Sequence, residues 1–102
     1  MAQGVRVMRD GHTATEIMRQ AYSPARFGNM KAAIYAAWKE IGLPTHRRAR
    51  AIYNGEVQRL KDEEFEAIRI AAIRGLKDER ERALASIEAL ERMEPGQGDL
   101  GL

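Results

Sequence analysis

Apolar residues in the middle of the chain recur with the period of an α-helix. Between residues 30 and 41 they stand at positions i, i+3, i+4, i+7, i+8 and i+11, which are Met30, Ala33, Ile34, Ala37, Trp38 and Ile41. This spacing places them in one stripe along a helix of about three turns. Gly42 is predicted to end the helix, because glycine adopts the left-handed conformation that closes helices, and Pro44 prevents its continuation.

A second, shorter helix is predicted directly after this turn. Thr45 is a favourable N-cap, and the helix is expected to run from residue 46 to residue 53. The pair Asn54-Gly55 supplies the left-handed residue that ends it. Its outward face is almost entirely basic, and its inward face is expected to hold Ala49, Ile52 and Tyr53.

The residues before these two helices carry weaker signals. Residues 1–12 show no period, and they are predicted to form a disordered arm or at most one short extended piece. A Thr-Ala-Thr-Glu run beginning at Thr13 fits a capping box, which predicts a first helix over residues 14–22. Ser23 followed by Pro24 is typical of a new helix start, with a serine cap and a proline at the first helical position.

The residues after the two helices are predicted to form a loop and then a further helix. Residues 56–61 are the loop, with Val57 and Leu60 as its anchors. Asp62 begins the helix, since acidic residues are favourable at the positive end of the helix dipole. Gly75 is expected either to end this helix or to weaken it. Two apolar rows on different faces indicate that it packs on two surfaces; the first consists of Phe65, Ile68, Ala72 and Leu76, and the second of Ile70 and Ile73.

Residues 77–94 are dense in charge but keep a narrow apolar stripe, formed by Ala83, Leu84, Ile87, Leu90 and Met93. This pattern predicts an amphipathic C-terminal helix that Pro95 ends, followed by a flexible tail over residues 95–102. The fold class is therefore predicted to be all-α. We expect a small helix-turn-helix domain of four to five helices over residues 13–76, extended by the C-terminal amphipathic helix.

Composition is consistent with one small domain. The chain has 102 residues, of which 44% are hydrophobic, so the core is expected to be thin. It contains no cysteine, and neither a disulfide framework nor a thiolate metal site is expected. The N-terminus has no apolar run, so we expect no signal peptide and no membrane partner, and we predict a cytoplasmic location.

The charge of the chain is unevenly distributed. Residues 1–61 hold 11 basic and 4 acidic residues, a balance of +7, whereas residues 62–102 hold 6 basic and 11 acidic residues, a balance of −5. A basic front and an acidic back suggest one surface for a polyanion and another that avoids it. A chance division of charge is the alternative.

Residues 30–53 meet the demands of a helix-turn-helix unit that binds DNA. The second helix of such a unit lies in the major groove and reads base edges with its N-terminal residues. Arginine suits this role because its planar guanidinium group can donate two hydrogen bonds to guanine. His46, Arg47 and Arg50 are predicted to face bases, and Arg48 is predicted to contact a phosphate.

Further phosphate contacts are expected around this helix. Thr45, together with the free amides of the helix start, is able to bind a phosphate. Secondary candidates are Arg59 and Lys61 in the following loop, and Asn29 and Lys31 at the start of the preceding helix. The predicted partner is therefore double-stranded DNA. The alternative interpretation of the basic residues is the solvated face of an ordinary helical bundle.

This central segment resembles the lambda-repressor-like helix-turn-helix proteins, the Cro and Xre-type regulators of phages and bacteria. The resemblance covers roughly residues 30–73, and it rests on the run Ile52-Tyr-Asn54-Gly55 followed by an apolar helix from Asp62. It implies a sequence-specific transcriptional regulator that binds operator DNA through the helix over residues 46–53. By position in the family's motif, the base-contacting residues fall on Thr45, His46, Arg47 and Arg50.

Other chemistry finds little support in the sequence. The two histidines, His12 and His46, lie far apart, and there is no glycine-rich phosphate loop. No enzyme activity, cofactor or metal is therefore expected. Trp38 and Tyr35 could form an exposed aromatic platform for nucleic-acid bases, but the position of Trp38 on the apolar stripe favours the core.

The C-terminal helix allows two interpretations. In the first it forms a homodimer, as helix-turn-helix proteins commonly bind paired half-sites as dimers. In the second it folds back on its own domain. A different function is also open: a protein-interaction adaptor, similar to an antiactivator or an antitoxin, that binds a protein partner through residues 77–94.

Overall fold

The computed structural model describes the backbone of residues 8–98 and the side chains of residues 8–93. Within that range the protein is an all-α domain with one small two-stranded ribbon, which confirms the predicted fold class. The predictions for residues 1–7 and for residues 99–102 lie outside the described residues.

The two central helices lie where the sequence predicts them. Helix α3 spans Met30–Ile41 and helix α4 spans His46–Tyr53. The side chain of Asn29 caps α3 by accepting a hydrogen bond of 2.8 Å from a first-turn amide. Left-handed glycines follow both helices, Gly42 with a φ of 83° and Gly55 with a φ of 77°. Both predicted helices are confirmed, together with their predicted boundaries.

A short antiparallel ribbon replaces part of the predicted arm and loop. Strand β1 (Met8–Asp10) pairs with strand β2 (Arg59–Lys61), and Arg9 lies opposite Leu60. Leu60 is fully buried, as expected of an anchor. The predictions of a disordered arm and of a loop are therefore wrong for these residues. The alternative prediction of a short extended piece is correct for β1. Pairing between distant strands stabilises both, and three residues carry too little alternation to show it.

Helix α1 (Gly11–Ala21) begins three residues before its predicted start. Its cap is Asp10, whose carboxylate accepts hydrogen bonds from the Thr13 amide at 2.9 Å and from the Thr13 hydroxyl at 2.8 Å. The capping box at Thr13 is therefore wrong, because a carboxylate at the helix start is the stronger acceptor. Gly11 is required here, since a Cβ atom would lie 1.7 Å from the Val57 carbonyl oxygen.

Helix α2 is a single turn, Pro24–Phe27, and its predicted start is confirmed. The hydroxyl of Ser23 accepts a hydrogen bond of 3.2 Å from the Arg26 amide. The ring of Phe27 stacks on that of Tyr22, with centroids 5.8 Å apart. This contact attaches the turn to the core.

Helix α5 is continuous over 37 residues, Asp62–Gly98. It passes through Gly75 and Pro95, so the prediction that Pro95 ends a separate C-terminal helix is wrong, and Gly75 does not end the helix either. Residues 76–94 are mostly strong helix formers and contain no glycine or proline. Pro95 lacks an amide hydrogen, which removes one hydrogen bond close to the end of the helix.

The core lies between α1, α4 and the first half of α5, with α3 packed on α4. Its largest fully buried side chains are those of Tyr22, Tyr53, Met18, Ile52, Leu60 and Ile68. Every residue from Lys77 to Met93 is exposed, because α5 extends beyond the domain and gives the molecule a longest dimension of 68 Å. The interpretation in which the C-terminal helix folds back on its own domain is therefore wrong.

Candidate nucleic-acid interface

The turn between α3 and α4 is fixed by its backbone and by one indole ring. The amides of Gly42 and Leu43 both donate to the carbonyl oxygen of Trp38, at 3.1 and 3.3 Å. The Nε1 atom of Trp38 donates in return to the carbonyl oxygen of Leu43 at 3.1 Å. Leu43 is buried. Because these bonds hold the turn from both sides, the start of α4 has a defined direction relative to α3.

Helix α4 presents one side to the core and one side to solvent, as its sequence predicts. The hydroxyl oxygen of Thr45 accepts a hydrogen bond of 3.0 Å from the amide of Arg48, which confirms the cap. The predicted inward residues are all buried, and they are Ala49, Ile52 and Tyr53. Small Ala49 allows the backbone of α4 to lie close to its neighbours.

Contacts from α1 and its C-cap hold the last turn of α4. The Tyr53 hydroxyl donates to the carbonyl oxygen of Tyr22 at 2.9 Å. The Thr15 hydroxyl donates to the carbonyl oxygen of Ile52 at 2.6 Å, and Arg19 Nε donates to that of Tyr53 at 2.8 Å. Burial raises the pKa of the Tyr53 hydroxyl, so the group remains a donor at neutral pH. These bonds satisfy the carboxyl end of α4 inside the domain and leave its outer face free.

The outward face of α4 carries the basic residues that were predicted to reach bases. Arg47 and Arg50 are exposed and His46 is half-buried. Within residues 8–93 neither arginine makes an ion pair or a side-chain hydrogen bond. Two adjoining surface recesses of about 670 and 380 Å³ lie along this face. His46 and Lys31 line both, Asn29 lines the first and Arg50 lines the second, so the structure brings these residues together.

Arg48, which was predicted to contact a phosphate, is paired with an acidic residue of the same chain. Its Nε and Nη2 atoms donate to the two carboxylate oxygens of Glu64, at 2.9 and 2.7 Å. The hydrogen bond to Glu64 raises the pKa of the Arg48 guanidinium, and Glu64 is largely buried in the pair. Arg48 therefore ties α4 to α5, and only its Nη1 group is left for a phosphate. The sequence could not show this, because the acidic partner lies 16 residues away on another helix.

The remaining predicted phosphate contacts lie in two other places. Lys61 is exposed on β2 and shares a recess beside the turn with Arg48, Glu63 and Glu64. Arg59 is exposed at the other end of the same strand and lines a separate recess. Since two carboxylates lie close to Lys61, the positive potential is weaker there than on the outward face of α4.

An aromatic cluster stands at the start of α4. The ring of Trp38 meets that of His46 edge to face, with centroids 5.5 Å apart, and Tyr35 meets Trp38 in the same way at 5.5 Å. Tyr35 is 53% exposed, as predicted. Trp38 is half-buried against the core, so its prediction as a core residue holds only in part. The sequence offered Tyr35 and Trp38 as an aromatic pair, but it did not show that His46 joins them from the neighbouring helix.

One histidine contact was also missed, although the spacing could have shown it. Nε2 of His12 lies 3.2 Å from a carboxylate oxygen of Glu16, one helical turn away on α1. Both side chains are exposed. Across the described part of the chain, no group of three or more histidine, cysteine or acidic side chains is arranged to hold a metal ion.

Comparison of the chain with protein-family models, with curated proteins and with solved structures found no match. The all-α architecture therefore rests on the structure itself, and the resemblance to lambda-repressor-like proteins remains a prediction. Among residues 8–98, no helix is long and apolar enough to cross a membrane.

Proposed function

We propose that the protein binds double-stranded DNA in a sequence-specific manner and acts as a transcriptional regulator of the Cro/Xre kind. The observation that carries this proposal is the outward face of α4. Arg47 and Arg50 lie there exposed and without an acidic partner among residues 8–93, on a helix whose inner side is fixed by the core. Other exposed arginines in that range, such as Arg59 and Arg82, are also unpaired, but only α4 places exposed arginines on a short capped helix that contains no acidic residue of its own.

The dimensions and chemistry of α4 suit the major groove. An α-helix with its side chains is about 10–12 Å across, and the major groove, about 12 Å wide, admits it. The eight residues of α4 extend about 12 Å along the helix axis. A guanidinium group that is not engaged within the protein can donate two parallel hydrogen bonds to guanine O6 and N7. The capped start of α4 also presents free backbone amides, which favour a phosphate at Thr45.

The distribution of charge over the molecule supports DNA binding on the side of α4. The basic balance of residues 1–61 includes α4, whereas the acidic balance of residues 62–102 is carried by α5. A polyanion is attracted to the first region and repelled by the second, which would orient the domain during association. A cytoplasmic location belongs to the same proposal, which assigns no catalytic role, cofactor or metal.

The test begins with selection of bound sequences from a random pool of duplex DNA, followed by mobility-shift measurements on the selected site. Arg47→Ala and Arg50→Ala are each expected to weaken binding by about 1–3 kcal/mol and to relax the sequence preference. Arg59→Ala is expected to weaken all sequences about equally. Arg82→Ala, which removes the same charge from an exposed site on the acidic part of α5, is the matched control.

Salt dependence provides a second readout. Neutralised phosphates release counterions, so the affinity should fall steeply as salt is raised, and Arg59→Ala should reduce that slope. If Arg47→Ala and Arg50→Ala bind the selected DNA as tightly as Arg82→Ala does, α4 is not the DNA-reading helix.

A competing function is favoured by a different observation. Residues 77–93 are all exposed, and they carry apolar side chains that no described residue covers, at Leu84, Ile87, Leu90 and Met93. A protein-interaction adaptor, similar to an antiactivator or an antitoxin, would use this face. In that case the full-length protein shifts no DNA from the random pool and binds a protein partner that it loses when residues 77–102 are removed.

A further inference from the structure

The exposed half of α5 carries an unusually regular pattern. Starting at Ile73, residues on one face of the helix recur with alternating steps of three and four; they are Ile73, Leu76, Arg80, Ala83, Ile87 and Leu90. This is the a/d spacing of a heptad repeat, the pattern by which two helices pack along a common seam. We refer to these six residues as the α5 seam.

The α5 seam leaves the domain at Leu76. Leu76 itself packs partly against the core. Beyond it the seam is open, with Ile87 50% and Leu90 64% exposed, and Leu84 beside it is 53% exposed. None of the described residues covers this part of the helix. A contiguous exposed apolar stripe of this kind marks an interaction surface.

We propose that a second copy of this chain covers the α5 seam, and that the two α5 helices pack antiparallel. Parallel pairing in register would place Arg80 against the partner's Arg80, which brings like charges together inside the contact. It would also place Ala83 against the partner's Ala83, which leaves a gap between two small side chains. The sequence of the seam therefore disfavours the parallel arrangement.

An antiparallel pair centred near residue 85 removes both problems. Ala83 then lies opposite the partner's Ile87, so a small side chain meets a large one. Arg80 lies opposite the partner's Leu90, where its long aliphatic stem covers the leucine while its charged end reaches solvent. Lys77 and Glu91 flank the seam, and each meets the opposite charge on the partner helix. The four seam residues from Arg80 to Leu90 are thus complementary to their own reverse in shape, and the flanking pair Lys77 and Glu91 is complementary in charge.

This inference deepens the proposed function and rests on it for its biological meaning, because it specifies the second copy that binding to paired half-sites requires. The two domains would extend from opposite ends of the paired helices. With a rise of about 1.5 Å per residue, Leu76 of the two chains would lie about 27 Å apart along the helix axis. That separation is of the same order as one turn of DNA, about 34–36 Å between half-sites.

Self-association is tested on the full-length chain without DNA, by sedimentation over a range of concentrations. The native protein is expected to dimerise in the micromolar range, because the seam is shorter than that of most coiled coils. Ile87→Asp and Leu90→Asp are expected to be monomeric at concentrations where the native chain is dimeric, with unchanged helicity. Ala85→Asp is the matched control, since it adds the same charge to an exposed position on the opposite face.

The direction of the helices is tested with spin labels, for which the absence of native cysteine is convenient. Single variants Arg82→Cys, Arg92→Cys and Arg74→Cys are labelled, and the distance between the two labels of each dimer is measured. The antiparallel pair separates equivalent residues along the axis by about 9, 21 and 33 Å, in that order. A parallel pair in register gives no separation along the axis at any of the three positions, so the distances would not increase in that order, which would overturn the proposal.

Charge exchange tests the register. Lys77→Glu and Glu91→Lys should each weaken self-association, because each brings like charges together twice in an antiparallel dimer. An equimolar mixture of the two variants should form heterodimers, since both contacts are then complementary. A native chain that stays monomeric at high concentration, or variants that do not prefer each other, contradicts the inference.

DNA binding is not part of these measurements, so the two proposals can fail separately. Dimers without DNA binding reject the proposed function alone, and DNA binding by a monomer rejects this inference alone.

Discussion

The two halves of α5 belong to one continuous helix but have very different surroundings. In residues 62–76 the apolar side chains of Phe65, Ile68 and Ala72 are buried in the core, and the carboxylate of Glu64 is paired with Arg48. In residues 77–93 every residue is exposed. No ion pair forms there among the side chains described.

This difference separates two sources of helix stability. The first half is held by tertiary packing, which is the main stabilising contribution for most helices in proteins. The second half depends on its strong helix formers and on continuity with the first half. Apolar residues in the second half, such as Ile87, therefore serve contacts outside the domain, and they add little to the stability of the single chain. The following predictions test that distinction.

The largest effect is expected from truncating an apolar side chain in each half. Ile68→Ala should lower the free energy of unfolding by about 2–5 kcal/mol, because Ile68 is fully buried and its loss leaves a cavity. Ile87→Ala should change it by less than about 0.5 kcal/mol. Chemical denaturation of dilute protein measures both. Equal losses for the two variants would show that the second half of α5 packs on its own domain.

Hydrogen exchange should show the same boundary at the level of single amides. Amides in residues 65–76 are expected to exchange through global unfolding, whereas those in residues 80–93 exchange through local opening of an unpacked helix. The rates should differ by at least about tenfold, since local opening is easier by about 1.4 kcal/mol or more. Raising the protein concentration should slow exchange in residues 80–93 only, if these residues pair with a second copy. Uniform protection along α5 at low concentration would remove the contrast between its halves.

Gly75 stands at the junction of the two halves, and replacing it with alanine should stabilise the helix. Glycine inside a helix costs about 1 kcal/mol relative to alanine. The added Cβ would lie 3.4 Å from the end of the Arg26 side chain, which is able to move. We therefore expect Gly75→Ala to raise the free energy of unfolding by up to about 1 kcal/mol in denaturant titrations. A loss of stability would mean that Arg26 cannot move away, and Arg26→Ala in the same background would then restore the gain.

Acid is expected to lower the stability of the packed part of the molecule. This is the smallest of the predicted effects. Hydrogen bonds from Thr13 hold the pKa of Asp10 below its ordinary 3.8, and a hydrogen bond from Arg69 holds that of Glu66 below its ordinary 4.5. Because both folded pKa values are depressed, the stabilisation is complete above the ordinary values and is lost as the pH falls below them. The loss is measured as a fall in the unfolding temperature between about pH 6 and about pH 3, a range that spans both ordinary pKa values. Asp10→Asn, which keeps an acceptor but does not titrate, should flatten the curve.

The features that were predicted correctly are those with local signals. Gly42, Thr45 and Gly55 each act within a few residues of a helix end, and the boundaries of α3 and α4 follow from them. The ribbon was missed because its two strands lie about 50 residues apart and contribute three residues each. The true cap of α1 was missed because Thr13 offered a second plausible start, although the carboxylate of Asp10 is the better acceptor.

At the candidate site, too, only the features with local signals could be predicted. Its outward residues could be identified because they follow from the inner spacing of α4, which Ala49 and Ile52 define. The pairing of Arg48 with Glu64 depends on how α4 and α5 pack, and no local pattern contains that information. The continuity of α5 through Gly75 was left open for a different reason, because the glycine and the strong helix formers that follow it give opposite local signals.

Trp38 is placed where its fluorescence can report on the start of α4 in the native protein. Trp38 is the single tryptophan of the chain, and its indole is hydrogen-bonded to the turn before α4 and lies edge to face against His46. Its fluorescence therefore reports on the first residue of α4 and on the turn that aims it. A ligand bound at the start of α4 should change the emission, whereas a partner bound only along residues 77–93 should leave it unaltered. The two faces of the molecule are thus distinguishable in one titration with unlabelled protein.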